Sequence, residues 1–363
     1  MNALVAHGVL LVDVTDGGSS FRDAEEMAKL WETAERFFED PSVADKLPGM
    51  TTVAETGSQH AKVGYTEYDE GSMKFLETLR ERKTGKLLPG ETVGVVGEDG
   101  VAALRSSFDL VAETGKDVVR IAVAACSVEH GAFLDPKGGG GGENEETDQK
   151  ILASQGATLL ANELLDDGKP LPPGLPIDHA EGDVSMTPFR LCRYTDSREE
   201  TTASREVFGA HTDTTFITAV PVARVSGLEV FDEEAEQWYR PELRARAIWE
   251  EEQIARGKDP SLQYDETGDG KQIPWHSRYL AIMPGQYLQL ATRNEIPSAV
   301  HRVVAVKGGE ARLSAPVLLR GRPGTKFLTD RYLGGWLGNQ LILDVDGLSM
   351  EEIYEKNLPE AYQ

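Results

Sequence analysis

The first half of the chain carries apolar residues at helical spacing. Over 21–38 the apolar side chains recur every three or four residues, and 99–130 shows the same spacing over a longer stretch. We predict amphipathic helices over both ranges and a third helix over 151–166. A strand over 9–14 is predicted before the first of these helices. Residues 1–185 are therefore expected to form a mostly helical N-terminal part.

From residue 186 the pattern changes to short runs of β-branched and aromatic residues that are separated by turn signals. The predicted strands are 189–194, 216–222, 227–231, 279–282, 287–290, 300–306 and 315–319. Many short strands with turns between them are typical of a sandwich or a barrel. We expect a mainly antiparallel core over 186–320, and one α+β domain over 1–363 with helices flanking a mainly β core.

Three segments interrupt these patterns. Residues 136–149 contain five consecutive glycines, Gly138–Gly142, followed by acidic side chains, which predicts a mobile surface insertion. Residues 243–271 begin as a charged, helix-like stretch and end as a turn-rich acidic loop, so we expect a surface elaboration or part of a lid. The tail 321–363 either closes over the mouth of the barrel as a lid or packs on its outer surface.

Charge and cysteine content narrow the class of protein. The chain has 61 acidic and 37 basic residues, a net charge of −24, which argues against nucleic-acid binding and requires a local cation for any anionic ligand. It has two cysteines and no run long enough for a membrane span, so we expect a reduced, cytoplasmic monomer that acts on a small molecule. An organelle leader preceding this sequence remains compatible with these features.

The candidate chemistry lies in residues that are far apart in the sequence. His211 and Asp213 come directly before an apolar, β-branched run, and His301 opens another predicted strand. Two imidazoles and one carboxylate can hold a redox iron on one face and leave the opposite face open. Arg312 and Ser314 follow about one strand later, and such residues suit a carboxylate-bearing co-substrate. An H-x-D triplet also occurs by chance, so a surface His and Asp beside a strand is the alternative.

The segments around these residues have further features in common with a known family. Residues 209–231 contain H-T-D and V-S-G-L-E-V, with Trp238 following, and 283–314 contain P-G, S-A-V-H-R-V and R-L-S. This sequence resembles the iron(II)/2-oxoglutarate-dependent dioxygenases of the isopenicillin N synthase-like superfamily, most specifically over 186–320. The resemblance implies a double-stranded β-helix, the jelly-roll or cupin-like fold.

The resemblance also implies roles for the candidate residues. His211, Asp213 and His301 would be the iron(II) ligands, and Arg312 and Ser314 would bind the distal carboxylate of 2-oxoglutarate. The reaction would use O2, release succinate and CO2, and hydroxylate, desaturate or oxidatively cyclise a small organic substrate, for example an amino-acid-derived or other specialised metabolite.

One further co-substrate contact and a set of substrate contacts are expected on the same basis. Tyr194 matches a tyrosine that often helps to hold the same carboxylate, although a core tyrosine of a strand is the alternative, and the usual asparagine two residues earlier is Cys192. The substrate pocket is expected to draw on a set of polar and aromatic residues outside the triad: Lys62, Tyr65, Phe216, Arg293 and Asn294.

Two other classes of protein remain open from the sequence. One is a catalytically silent homologue that binds a small molecule, for which a complete triad with Arg312 would be unnecessary. The other is a zinc hydrolase that uses the same ligands and has no use for Arg312 or Ser314.

Overall fold

The computed structural model describes residues 2–15, 20–40, 49, 51–56, 59–68, 71–133, 143–170, 173–174, 182–196, 205–305 and 309–356. The glycine run Gly138–Gly142, which we predicted to be a mobile insertion, lies outside the described residues. No described helix is both long and apolar enough to cross a membrane.

The N-terminal helices form where the apolar spacing predicts them. The helices are α1 (Asn2–His7), α2 (Arg22–Glu39), α3 (Gly90–Gly94), α4 (Gly97–Glu129) and α5 (Glu143–Glu163). The apolar stripe of α2 is buried, with Met27 and Leu30 inaccessible to solvent. Helix α4 packs so closely on the sheet that a Cβ at Gly115 would lie 2.4 Å from Cδ1 of Ile217. The predictions of helices over 21–38, 99–130 and 151–166 are confirmed by α2, α4 and α5, whereas α1 and α3 were not predicted.

Helix α5 corrects one sequence prediction. It begins at Glu143, so the acidic half of the predicted insertion 136–149 is the first two turns of a helix. Gln149 is buried and its Nε2 donates to the carbonyls of Val128 and Ala132, 3.1 Å away in each case. The start of this helix was not predicted because its sequence is polar and has no apolar stripe. Its described contact with the rest of the protein is made by the side-chain amide of Gln149.

A large antiparallel sheet and a smaller one form the β core. The strands are β1 (Leu10–Asp13), β2 (Thr51–Thr56), β3 (Gln59–Tyr68), β4 (Met73–Arg80), β5 (Leu87–Leu88), β6 (Phe189–Tyr194), β7 (Arg205–His211), β8 (Ile217–Pro221), β9 (Leu228–Asp232), β10 (Gln237–Tyr239), β11 (Tyr264–Glu266), β12 (Gln272–Pro274), β13 (Tyr279–Pro284), β14 (His301–Ala305), β15 (Arg312–Ser314) and β16 (Val317–Leu319).

The large sheet has the order β1-β13-β8-β16-β6-β4-β3-β2, with β15 on β6 and β5 on β4, and the small sheet has the order β10-β9-β14-β7. Helices α2 and α4 cover one face of the large sheet through an apolar core that includes Leu30, Phe108 and Ile217. The other face meets the small sheet across a second set of buried side chains that includes Tyr194, Val207 and Val303. This arrangement is a jelly-roll core with helices on its outer face, as the sequence predicted.

The N-terminal half contributes more strand than its sequence pattern indicated. Strands β3 and β4 pair with each other and extend the large sheet beyond β6, so the N-terminal part adds strands to the β core beside its helices. Charged and polar residues such as Glu77 interrupt the apolar alternation of β4, because one face of the strand borders a cavity rather than the core.

Residues 287–290, predicted as a strand, belong instead to helix α7 (Gln286–Ala291). A short apolar run fits either period, and here the helix buries Tyr287, Leu288 and Leu290 on one side. Strand β7 was not predicted, because its residues are mostly polar or small.

The segment 243–271 lies on the surface of the β core and is anchored to it at a few buried positions. Helix α6 (Pro241–Ala255), a 3-10 turn (Pro260–Leu262) and the β11–β12 hairpin bury Trp249 and Asp265. The carboxylate of Asp265 accepts from Trp249 Nε1 at 2.9 Å and from Arg278 Nη1 at 3.3 Å. Arg278 lies in a second 3-10 turn, Trp275–Arg278. Most charged side chains of the segment are exposed, as its composition indicated, and Asp265 is buried because it pairs with Arg278.

The C-terminal tail packs on the outside of the core. Its helices are α8 (Thr329–Tyr332), α9 (Gln340–Val345) and α10 (Met350–Glu355). Arg331 and Tyr332 both bond to Glu163 of α5, and Tyr332 is fully buried. The described part of the tail therefore follows the packing alternative rather than the lid.

Candidate metal centre and its cavity

The two histidines and the aspartate of the sequence prediction converge at one end of the small sheet. His211 is the last residue of β7, His301 is the first of β14, and the two stand directly opposite each other in the ladder. Asp213 lies two residues after His211, in the turn before β8. One ligand atom from each of the three side chains lies within 4.8 Å of the others. The ladder and the short turn together place three donors around one point.

Backbone carbonyls fix the orientation of both imidazole rings. Nδ1 of His211 lies 2.8 Å from the carbonyl oxygen of Gly209, and Nδ1 of His301 lies 3.2 Å from that of Ala299. A carbonyl can only accept, so each Nδ1 carries the proton and each Nε2 is left as a lone-pair donor. Both Nε2 atoms lie 3.5 Å from an oxygen of Asp213. The protein alone thus sets the tautomer that a metal requires.

The Asp213 carboxylate is buried and remains ionised. Burial alone would raise its pKa, but the neighbouring imidazoles of His211 and His301 and the hydroxyl of Thr218 hold the pKa of Asp213 well below its usual range. The Thr218 hydroxyl donates to Oδ2 of Asp213. A buried anion with this support is a site for a cation.

The turn that carries Asp213 is braced from its other side. The Gln286 side chain donates through Nε2 to the hydroxyl of Thr212 and accepts through Oε1 from the hydroxyl of Thr214, at 2.9 Å in both cases. These threonines flank Asp213, so one amide spans the turn and limits its movement.

The two imidazoles have different electrostatic surroundings. Burial lowers the pKa of His301 and outweighs the attraction of Asp213. Burial also acts to lower the pKa of His211, but the contacts with Asp213 and Gly209 outweigh it and the pKa is raised. The difference follows from exposure, because His301 is buried and His211 lies at the mouth of the site.

The three candidate ligands open onto a cavity of about 320 Å³ between the two sheets. Its walls are mainly apolar and come from the large sheet and the small one: Met73, Phe75, Phe208, Val220, Leu228, Met283, Val303, Pro316 and Leu318. The polar and charged lining residues outside the triad are as numerous as the apolar ones: Thr66, Tyr68, Glu77, Arg190, Cys192, Tyr194, Thr218, Arg312 and Ser314. A cleft with apolar walls and polar groups that converge on it is the usual form of a small-molecule site.

Arg312, Ser314 and Tyr194 lie together in this cavity through strand pairing. Arg312 stands opposite Tyr194 and Ser314 stands opposite Cys192 in the β15–β6 ladder. The Arg312 guanidinium lies 5.7 Å from the centre of the Tyr194 ring. Burial raises the pKa of Tyr194 well above its usual value, so its hydroxyl stays protonated and can donate. Burial likewise raises the pKa of Cys192 to about 11, which keeps that thiol neutral.

Arg312 is held by a buried carboxylate that sequence reasoning did not find. Oε1 of Glu242, at the start of α6, accepts from Arg312 Nη2 at 2.9 Å, from its Nε at 3.2 Å and from the backbone N–H of Leu228 at 3.1 Å. Nη1 of Arg312 is buried and has no hydrogen-bond partner among the described residues. An orphaned guanidinium N–H that lines the cavity fits a carboxylate ligand.

A glycine makes room for this arginine. A Cβ at Gly227 would lie 2.5 Å from the carbonyl oxygen of Val304 and 2.7 Å from Cδ of Arg312. Gly227 is the glycine of the V-S-G-L-E-V segment. The close approach of Arg312 therefore explains why this position of the motif suits a glycine.

The five residues predicted to contact the substrate do not line this cavity. Tyr65 lies on the opposite face of β3 and packs edge-on against Phe37, with ring centres 5.9 Å apart. Lys62 is exposed, and Phe216 is buried in the helix-covered core. For Tyr65 the error is a shift of one residue, because neighbouring strand residues point to opposite faces and Thr66 lines the cavity instead.

Arg293 and Asn294 also serve elsewhere. Nη2 of Arg293 donates to the carbonyls of Leu333 and Gly335 at 2.7 and 3.0 Å, which fastens the C-terminal tail. Asn294 lines a different cavity of about 350 Å³ on the other side of the Thr212–Thr214 turn. Arg293 and Asn294 were assigned to the substrate pocket from their place along the sequence. Where their side chains lie in space depends on how the chain folds after α7.

The charged residues that sequence reasoning missed are Glu77 and Arg190, which line the cavity, and Glu242, which holds Arg312. A signal for Arg190 was present, because it lies four residues before Tyr194 and alternate residues of a strand share a face. No local signal pointed to Glu77, which is placed by long-range strand pairing, or to Glu242, which is placed by helix packing.

Comparisons with known proteins agree with this architecture. No protein-family model matches the chain, and a search of curated proteins finds no match either. Among solved structures, one from Caulobacter crescentus assigned to the 2OG-Fe(II) oxygenase family is similar at 18% identity and a TM-score of 0.51, covering 99% of this chain and 92% of the other. One from Shewanella oneidensis assigned as an oxygenase is similar at 13% identity and a TM-score of 0.51, covering 99% and 93%. The fold of this chain is thus the 2-oxoglutarate oxygenase fold.

Proposed function

We propose that this protein is an iron(II)- and 2-oxoglutarate-dependent oxygenase that oxidises a small organic molecule. The observation that carries the proposal is one cavity that holds both halves of the required site. A facial set of two imidazoles and one ionised carboxylate lies at its edge, and a buried arginine with an orphaned N–H lies in its wall.

Each predicted residue has a role that its contacts support. His211, Asp213 and His301 would ligate iron(II), since each Nε2 is a free lone-pair donor and the Asp213 carboxylate is charged. Arg312 would bind the distal carboxylate of 2-oxoglutarate through Nη1, with Ser314 beside it on the same strand. The ring of Tyr194 would stabilise the guanidinium of Arg312 through a cation–π contact, and its hydroxyl would donate a hydrogen bond.

Glu242 would act as a positioning residue for the co-substrate. It occupies Nε and Nη2 of Arg312, which leaves Nη1 as the part of the fork that is available to a ligand. It also offsets the charge of Arg312 while the cavity is free of anions.

Iron bound at this site would couple the oxidative decarboxylation of 2-oxoglutarate, to succinate and CO2, to oxidation of the substrate by O2. The protein's own part is to hold the reactants in register and to keep water away from them. Val220, Leu228, Met283 and Val303 supply the apolar walls for that purpose. Hydroxylation, desaturation and oxidative ring closure all fit this arrangement, and so does an amino-acid-derived or other specialised metabolite.

The direct test measures O2 consumption and succinate release together, across a metabolite panel with iron(II) and 2-oxoglutarate. We expect succinate and consumed O2 in a ratio of one, and a product that gains one oxygen or loses two hydrogens. The matched variants are His211→Ala, which should release no succinate, and Asp269→Ala, an exposed loop acid that should behave as the parent. Turnover without O2 would indicate a zinc hydrolase, and ligand binding without succinate would indicate a silent homologue. Either outcome would overturn the proposal.

A further inference from the structure

The cavity contains a second arginine, at the end away from Arg312. The face of β3, β4 and β6 that borders the cavity is built of three rows of cross-strand neighbours. One row is Tyr68, Met73 and Tyr194, and the next is Thr66, Phe75 and Cys192. The third row is Gly64, Glu77 and Arg190. The third row thus places an acid and a base side by side where its glycine leaves space.

Glu77 and Arg190 form an ion pair that is open to the cavity. Nε of Arg190 donates to Oε2 of Glu77, and both residues line the cavity. The pair keeps 31% of the arginine side chain and 23% of the glutamate side chain accessible, so it is neither a surface pair nor a sealed one. The other guanidinium nitrogens and the second carboxylate oxygen are therefore within reach of a ligand.

The two arginines of the cavity serve different ends of it. Arg190 and Tyr194 are four residues apart in β6, roughly 13 Å at the rise of a strand, and Arg312 stands opposite Tyr194. A co-substrate held at Arg312 would leave Arg190 facing whatever enters from the other end.

The surroundings of the pair are apolar on the cavity side. Phe75, Phe208, Pro316 and Leu318 line the same space, and no other charged side chain among the described lining residues lies in these rows. A neutral ligand in this space would remove water from the pair and offer nothing in return. A simple anion would satisfy Arg190 but would meet the negative charge of Glu77.

We propose that the Glu77–Arg190 pair binds the head group of a zwitterionic substrate, an α-amino acid or a close derivative with an apolar body. The carboxylate of the substrate binds Arg190, its ammonium group binds Glu77, and its apolar part lies against Phe75 and Phe208 towards the three candidate ligands. This inference rests on the proposed function and specifies the class of molecule that is oxidised.

The test measures binding to protein loaded with manganese(II) and 2-oxoglutarate without O2, so that no turnover is required. Calorimetry is run with a panel of apolar L-amino acids, each accompanied by the amine that lacks its carboxylate and the acid that lacks its ammonium group. We expect at least one amino acid to bind at least tenfold more tightly than both of its single-charge analogues. If no member of the panel exceeds its analogues, the inference is wrong.

Variants locate the effect at the pair. Arg190→Gln and the double variant Glu77→Gln/Arg190→Gln should each lower the affinity for the amino acid at least tenfold. The single variant leaves the charge of Glu77 without a partner, whereas the double variant removes both charges, so a loss in both variants is not caused by an unpaired charge. Arg193→Gln is the matched control, because it lies on the same strand and lines no part of the cavity. Equal affinities for the parent and for both cavity variants would show that the pair only joins two strands.

Failure of this inference can be told apart from failure of the proposed function. Arg190→Gln should still form the anaerobic complex of iron(II) with 2-oxoglutarate, since Arg312 and the three candidate ligands are intact. A parent protein that forms this complex but binds no zwitterion contradicts the inference alone. A parent that does not form the complex contradicts the proposed function.

Discussion

The two ends of the cavity differ in how the chain builds them. At the metal and co-substrate end, His211 and His301 come from paired strands of the small sheet and Arg312 comes from β15 of the large sheet. Each of the three is held by a partner within the protein. At the other end, Glu77 comes from the N-terminal half and meets Arg190 only through long-range pairing of β4 with β6. The first end is preorganised by contacts of its own residues, whereas the second depends on how two halves of the chain are joined.

This difference separates reaction chemistry from substrate choice. Residues that orient the imidazoles and the guanidinium of Arg312 cannot vary without loss of the site, because each contact is specific. The β3–β4 wall can change its side chains while the ladder keeps its register, because the hydrogen bonds of a strand come from the backbone. We therefore expect substitutions at the first end to abolish the site and substitutions at the second end to change only what is bound.

The largest effect is expected at Asp213. Asp213→Ala removes the charged donor and leaves two neutral imidazoles, so iron(II) affinity should fall by more than the roughly 10–100-fold that loss of an outer partner costs. Equilibrium titration with iron(II) under nitrogen measures it, with Asp269→Ala as the control. Unchanged iron affinity would place the metal elsewhere.

The next largest effect is expected at Arg312 and Glu242. Arg312→Ala leaves Glu242 buried and unpaired, and we expect a loss of about 3–5 kcal/mol in the free energy of unfolding. Chemical denaturation measures it. The double variant Arg312→Ala/Glu242→Gln should recover much of this stability but not the binding of 2-oxoglutarate. Recovery of both would show that Arg312 is structural only.

A smaller effect is expected at Thr218. Thr218→Val keeps the size of the side chain and removes the hydroxyl that donates to Asp213, so we expect roughly 10–100-fold weaker iron(II) binding. Thr66→Val, on the wall of the other end, is the control and should leave iron affinity unchanged. Similar losses in both variants would mean that the two ends are not independent.

The smallest effect is expected away from both ends, at His276. Burial lowers the pKa of His276 to about 3, so the unfolded chain binds a proton near pH 6.5 that the folded protein does not. Stability should therefore fall as the pH drops from 6.5 towards 3, by about 1 kcal/mol between pH 6.5 and 5.5 from this group. Denaturation curves for the parent and His276→Gln should differ by that slope, and parallel pH profiles would contradict it.

The sequence pointed to the candidate ligands and to Arg312 at the first end, but not to Glu242 there or to the pair at the second end. His211, Asp213, His301 and Arg312 lie beside β-type runs, so their direction follows from the period of a strand. Glu77 lies in a strand whose pattern is broken by the cavity that it lines, so the period that would locate it is missing. Tyr65 was one residue out for a related reason, since only the register of β3 with β4 shows which face borders the cavity.

The segment 243–271 shows a second limit of the sequence. Its many charges indicate exposure, and most of them are exposed, but they do not reveal that Asp265 is buried, where it pairs with Arg278. Partners that are distant along the chain, such as Arg278 and Asp13, cannot be assigned from composition. The resemblance of 186–320 to a family gave the fold correctly, while the N-terminal strands and the contacts of α6 required the structure.

The central claim is that one cavity holds iron(II) at the three candidate ligands and 2-oxoglutarate at Arg312. The most direct measurement is an anaerobic absorption titration with iron(II) and then 2-oxoglutarate. The parent protein and Arg190→Gln should both develop a weak visible charge-transfer band, and Arg312→Ala should lack it at the same 2-oxoglutarate concentration while still binding iron. A parent that binds iron(II) and shows no band, or an Arg312→Ala variant with the full band, would contradict the account.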